Sequence, residues 1–364
     1  MARSSQGIKA PHAFDYVALQ MSNQLFMPFI ANIAQLKSLA IVGTAKNVGK
    51  TESLNYILGA LRERHPELQL ALTSIGIDGE LRDQVTQTDK PEITLHEGMR
   101  FVTAENFFRK KLLPAEIFDI DRIYSSSIGR LIYARARGIG KTLIAGPPST
   151  GGLRRVVTRM RQEGVDLTLI DGALSRLSLA SPSVAEGMVL ATGSAYSAQP
   201  EQLIKRMREL MRLIRLPQLA DRKLAEQLSE VDKGVRLLTD EGAIVDPGFA
   251  SALTPDMWRD TTWLAEGDML YVPGVVSDKL LNQLRLIKRH RQLVVKDFTR
   301  IFASGQAVQS YLATGREIKT LYSSKLMAIT FNPLAPSGYR LDSERMCERL
   351  SEALEVPVYD VRRL

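Results

Sequence analysis

Leu39-Ala-Ile-Val-Gly-Thr-Ala-Lys-Asn-Val-Gly-Lys-Thr51 decides the reading of the chain: a short apolar run enters a glycine-flanked loop and leaves it with helical spacing. Gly43 and Gly49 let backbone N–H groups curl round an anion, and a helix opening near Lys50 turns its positive end to the same point. Strand, loop and helix in that order are what a phosphate-binding loop requires. Lys50 then supplies a mobile cation for the β and γ phosphates, and the Thr51 hydroxyl is placed to ligate magnesium. Gly43, Thr44, Asn47, Val48, Gly49, Lys50, Thr51 and Glu52 are the loop residues expected around the nucleotide. The plainer alternative is a tight glycine turn before an ordinary helix.

Outward from this stretch, short apolar strands alternate with amphipathic helices, which predicts an α/β fold with a parallel sheet covered on both faces. Strands are expected at 39–43, 68–75, 141–145, 166–170 and 188–192, and helices at 50–64, 121–138 and 152–163. The stretch 202–231 reads as a long charged helical connector, with apolar Leu203, Met207, Leu210, Met211 and Ile214 ahead of Pro217. Beyond it, strands are expected at 269–272, 292–296, 326–330 and 356–361, with helices at 278–288 and 342–354. These form either a smaller C-terminal α/β unit, which is favoured, or the remaining strands of one larger sheet. The resulting division is an N-terminal extension (1–35), a nucleotide-binding domain (36–200), the connector (201–233) and a C-terminal α/β domain (234–364).

A phosphate loop needs a carboxylate on a neighbouring strand, to hold magnesium directly or through water. Asp171 follows the strand 166–170 and opens Asp171-Gly-Ala173, and Asp78 lies in Ser74-Ile-Gly-Ile-Asp-Gly-Glu80, where Glu80 is a substitute. Both aspartates are also ordinary turn residues. Thr51, Asp78 and Asp171 are thus the expected metal set, and Lys50 and Asp171 the residues expected to carry hydrolysis, which needs only positioned water and electrostatics. Ser149 and Thr150, in Gly146-Pro-Pro-Ser-Thr-Gly-Gly152, either contact phosphate or substrate or cap the next helix. Arg135, Arg137, Lys141, Arg154, Arg155, Arg159 and Arg161 make a basic region, suited to an acidic partner or phosphate, or simply solvated.

Composition sets outer bounds. The 364 residues are 45% hydrophobic and 24% charged, a globular balance. Cys347 is the single cysteine, which excludes an internal disulfide and any cysteine-rich metal cluster and points to a reducing, cytoplasmic setting. No stretch reaches the roughly 18 apolar residues of a membrane span, since Pro28, Asn32, Gln35 and Lys37 interrupt the nearest one. The N-terminus lacks the residue order of a signal peptide, and no association with a membrane is expected. A net charge of +8 favours anionic ligands or an acidic protein partner. Without aromatic residues interleaved in the basic region, nucleic acid rests on charge alone. Oligomeric state stays open.

Five residues separate the loop glycines, where the common form has four. That spacing resembles dethiobiotin synthetase and, more broadly, the SIMIBI class of P-loop NTPases, which includes signal-recognition GTPases and MinD-like ATPases. The likeness covers about 38–195. It implies a P-loop fold that binds a nucleoside triphosphate with Mg2+. Asp171-Gly-Ala173 resembles the Glu-Gly-Ala turn of the synthetase, and an aspartate from the region of Asp78 also serves the metal there. The signature lysine of MinD-like loops would fall at Ala45, one place before Lys46, so a dimer with that lysine crossing over is not supported. Asn332-Pro333 resembles the base-reading position of the group, whose amide pairs with adenine, and is otherwise a plain turn. With no Asn-Lys-x-Asp or Thr-Lys-x-Asp guanine reader in the sequence, ATP is preferred over GTP. Dethiobiotin synthetases are shorter and carry a substrate lysine where this chain has Thr73-Ser-Ile-Gly76.

Phe331-Asn-Pro-Leu-Ala-Pro-Ser-Gly-Tyr339 and Val356-Pro-Val-Tyr-Asp-Val361 resemble the nucleotide-binding subunit of lysine 5,6-aminomutase reactivase. That likeness implies a protein partner, either a MutS-like ATPase or the aminomutase itself, and exchange of damaged adenosylcobalamin through nucleotide-driven shape change. The competing expectation is an ATP-dependent ligase or kinase resembling dethiobiotin synthetase.

Overall fold

The computed structural model describes residues 28–75, 93–126, 129–173 and 184–363. In chain order the strands are β1 (Ser38–Gly43), β2 (Leu70–Ser74), β3 (Ile93–Leu95), β4 (Arg100–Ala104), β5 (Ala115–Ser126), β6 (Gly129–Ala136), β7 (Gly140–Thr142) and β8 (Leu167–Ala173). They continue with β9 (Gly187–Gly193), β10 (Arg236–Leu238), β11 (Ile244–Val245), β12 (Met269–Val272), β13 (Gln292–Val295), β14 (Glu317–Thr320), β15 (Lys325–Asn332) and β16 (Val358–Tyr359). The helices are α1 (Phe29–Ala34), α2 (Lys50–Arg64), α3 (Glu105–Arg109), α4 (Thr150–Gln162), α5 (Pro200–Ile214), α6 (Arg222–Ser229), α7 (Asp278–Leu284), α8 (Gly305–Leu312) and α9 (Ser343–Leu354). The fold is mixed α/β.

A nine-stranded sheet runs β16-β15-β9-β1-β8-β2-β4-β6-β5. From β16 to β4 neighbouring strands are parallel, and β6 is antiparallel to both β4 and β5. Every residue of β1 is buried. Because side chains alternate along a strand, Leu39 and Ile41 face the layer holding α1 and α2, while Ala40 and Val42 face the layer of α4, α5 and α9. A strand covered on both faces needs a continuous apolar run, which 39–42 supplies.

A five-stranded sheet runs β11-β10-β12-β13-β14, with β12, β13 and β14 parallel and linked by α7 and α8. Its core centres on Leu270, Val272, Leu280, Leu293, Val295 and Tyr311. The chain leaves the larger sheet after α5, builds the smaller one, and returns as β15 and β16. The segment 234–364 is therefore shared between two sheets.

Three local expectations are corrected. The described residues of 121–138 form no helix but the end of β5 and all of β6. Leu131, Ile132, Tyr133 and Ala134 are buried in succession, which suits a strand covered on both faces and not an amphipathic helix. The expected strand 141–145 is paired only as far as Thr142, where β7 ladders with β3 and Lys141 also bridges Leu112. Beyond it the hydroxyls of Thr103 and Ser74 bond the carbonyls of Leu143 and Ile144, at 2.9 and 3.2 Å, in place of a ladder. The helical stretch 202–231 divides into α5 and α6 around Pro217, whose ring removes a helical N–H. Among the described residues no helix is long and apolar enough to cross a membrane.

Candidate functional site

β1 lies between β8 and β9, and the three parallel strands end at one edge. The loop 44–49 spans that edge and delivers the chain into α2, the 15-residue helix whose N-terminal N–H groups point back at the strand ends. Ile41 is level with Asp171 and Gly43 with Ala173, so Asp171 stands beside the root of the loop. It lies inside β8, which runs on to Ala173, and not in a turn. Lys50 Nζ reaches to 2.9 Å from Asp171 Oδ1, with the two side chains only 15% and 12% exposed. The cation and the carboxylate singled out in the sequence thus meet in an enclosed ion pair. Thr51, the next residue of α2, is partly buried.

Neighbouring strands hold the loop in shape. Thr44 is buried; its N–H donates to the Ala191 carbonyl at 2.8 Å and its hydroxyl to Thr192 Oγ1 at 3.0 Å. Asn47 adopts a left-handed φ of 62°, a region asparagine tolerates better than most residues. Its carbonyl accepts from Asn332 Nδ2 at 3.1 Å, and Asn332 Oδ1 accepts from the Leu334 N–H at 3.1 Å. Gly49 has φ +83°, and a Cβ there would sit 2.9 Å from Asn332 Cβ. A Cβ on Gly43 would meet Val48 Cγ2 at 2.9 Å. Both glycines are therefore demanded by contacts, one of them also by its backbone angle. Ser53 Oγ donates to the Gly49 carbonyl at 3.0 Å and shares a 2.7 Å hydrogen bond with Thr330.

Beside the loop, Val48, Gly49, Glu52, Phe331, Asn332, Asp360 and Arg362 line a cleft. Arg362 donates to Glu52 Oε1 at 2.9 Å. Asn332 thus braces the loop and borders this cleft at once. Sequence reasoning missed Thr192, Ser53, Thr330 and Arg362. Thr330-Phe-Asn332 at a strand end carried a signal for Thr330, whereas nothing near Arg362 marks it as a neighbour of α2.

Asp78 and Glu80 lie outside the described residues. Ser149 is the N-cap of α4, accepting from the Gly152 N–H at 3.1 Å, as the capping alternative predicts. Of the basic region, Arg159 pairs with Asp119 and Glu163 at 3.0 and 2.8 Å, Arg161 pairs with Glu186 at 3.2 Å, and Arg137 pairs with Glu116. Among the described residues no group of three or more His, Cys, Asp or Glu is arranged to hold a metal by itself. Magnesium carried by phosphates asks less, since one or two carboxylates and waters complete its shell. Comparison with protein families, curated proteins and solved structures found no match for this chain.

Proposed function

We propose that the loop 43–51 is the P-loop of a SIMIBI-type NTPase, binding ATP with magnesium, and that the protein is a nucleotide-switched accessory factor for a partner enzyme. The observation that carries the reading is the enclosed Lys50–Asp171 pair at the point where a buried strand passes through a left-handed glycine into a long helix. The residues fit the group. Gly43 and Gly49 leave no room for side chains where N–H groups must approach an anion. Lys50 would neutralise the β and γ phosphates, exchanging Asp171 for them, while Asp171 and Thr51 would hold magnesium. The metal ion supplies charge neutralisation across the phosphates. Asn332, whose amide is engaged with Asn47 and Leu334, would act by holding the loop in shape, with ATP preferred over GTP. Asp78 completes the proposed metal set.

Asp171, in contact with Lys50, is where loss of the γ-phosphate would be felt, and this is the basis of the switch reading. The C-terminal motifs around Asn332 and Asp360 favour an aminomutase-reactivating role beside a MutS-like ATPase or the aminomutase. A ligase or kinase reading has less support: Ser149 spends its hydroxyl on helix capping, and β2 ends Thr73-Ser74 without a substrate lysine. Calorimetry with Mg-ATP on the wild type and on Lys50→Ala tests the binding claim. Wild-type heat that disappears in the variant is expected; silence from folded wild-type protein with both Mg-ATP and Mg-GTP overturns it. A pulldown at native abundance, with and without ATP, tests the accessory role, which nucleotide-independent capture would contradict.

A further inference from the structure

Ligands of open α/β sheets collect at the carboxyl ends of the strands, and on the smaller sheet that edge gathers charge. Lys296, directly after β13, is 8% exposed, yet its Nζ lies 2.6 Å from Oδ1 of Asp232, a carboxylate 77% exposed. The stem of Lys296 is thus buried while its ammonium reaches the surface, where so open a partner holds it weakly. Arg300, in the same strand-end loop, has its Nε shut off from solvent with no hydrogen-bond partner among the described residues. Buried donors seldom stay unpaired. Lys296, and behind it the fields of Arg154 and Arg300, hold the Asp232 carboxyl below its ordinary range. Arg154 comes from α4, on the larger sheet. Among the described residues neither arginine is in ion-pair contact with a carboxylate. Asp297 is fully buried and already accepts from the Thr299 N–H at 3.0 Å and from the Thr299 hydroxyl.

We propose that this edge binds a phosphoryl dianion, free phosphate or a phosphate monoester, held by Lys296, Arg300 and Arg154 once Asp232 swings into solvent. These cations supply the positive charge that a phosphate monoester, roughly −1.5 to −2 at pH 7, requires. Arginine's planar fork and the lysine ammonium suit phosphoryl oxygens. The site shares no residue with the loop 43–51 and stands whether or not that loop binds nucleotide.

The test uses the full-length Lys50→Ala protein, which removes the loop's cation from the experiment. Titration calorimetry at constant ionic strength is run with inorganic phosphate, glycerol 3-phosphate and acetate. Saturable binding of at least one phosphoryl compound, about tenfold tighter than acetate, is expected. Tighter binding of inorganic phosphate identifies the free ion as the ligand, and tighter binding of glycerol 3-phosphate identifies an ester. Arg154→Gln, an exposed position where folding is not at stake, should weaken binding about tenfold, and Lys296→Met more. Asp232→Asn should tighten it by releasing Lys296. No saturable binding, equal binding of acetate, indifference to Arg154→Gln, or phosphate binding that vanishes on going from wild type to Lys50→Ala would each overturn the proposal.

Discussion

Gly49 carries two constraints at once, a left-handed backbone and a neighbour, Asn332, that leaves no space for a methyl group. Gly49→Ala should therefore cost more than the ~1–2 kcal/mol of the backbone angle alone, read as a lower urea midpoint. Combining it with Asn332→Gly should recover the contact share and leave the angular share; strict additivity of the two changes would refute the contact. Asp171→Asn should leave Lys50 near an uncharged partner and weaken the magnesium dependence of ATP affinity, an effect visible in titrations with and without the metal. At this scale the order strand, glycine-flanked loop and helix, and the meeting of Lys50 with Asp171, were legible from the spacing of 39–51 and from the apolar run before Asp171. Thr192 and Arg362 were illegible because their partners, Thr44 and Glu52, lie 148 and 310 residues away.

Between residue and molecule stand the strands and helices, and here His290 offers a pH test of the smaller sheet. It precedes β13 and bonds Tyr311 of α8 through Nε2 at 2.6 Å. Burial, helped by the Arg316 charge, lowers its pKa to about 4 from 6.5. In the unfolded chain it titrates near 6.5, so the stability gained by keeping it neutral is complete above that pH and drains away as pH falls towards 4. The loss is about 3 kcal/mol over that window. Urea midpoints measured from pH 7.5 to 4 should fall for the wild type and fall less for His290→Gln; parallel curves would show that His290 is not the group responsible. The same scale shows why β5 and β6 were hard to foresee. Helix-forming arginines were interleaved with Ile, Leu and Tyr, and only pairing with β4, set by distant residues, decides between the two periods. By contrast β1, α2 and α4 were legible from apolar runs, glycine and the Ser149 cap.

For the whole molecule, ligand binding should register as stability. Mg-ATP at about 100 times its Kd adds roughly 2.7 kcal/mol, so thermal unfolding should shift upward for the wild type and stay put for Lys50→Ala. A shift of equal size in both would move nucleotide binding away from the loop. The sequence marked two α/β regions, but not that β15 and β16 belong to the first. Apolar runs of similar length reveal burial and not which sheet provides it.

That return path has a consequence for how the chain can be divided. Everything from 215 to 324 is an excursion leaving and re-entering one framework, and its re-entry strand ends at Asn332, the brace of the loop. A protease nick inside the excursion should give two fragments that elute together, because β15 stays laddered to β9 and α9 stays packed on α5. Ending the chain at 214, by contrast, would strip the sheet of two strands and the loop of its brace, so the segment 36–200 is not a unit to be cut out and studied alone.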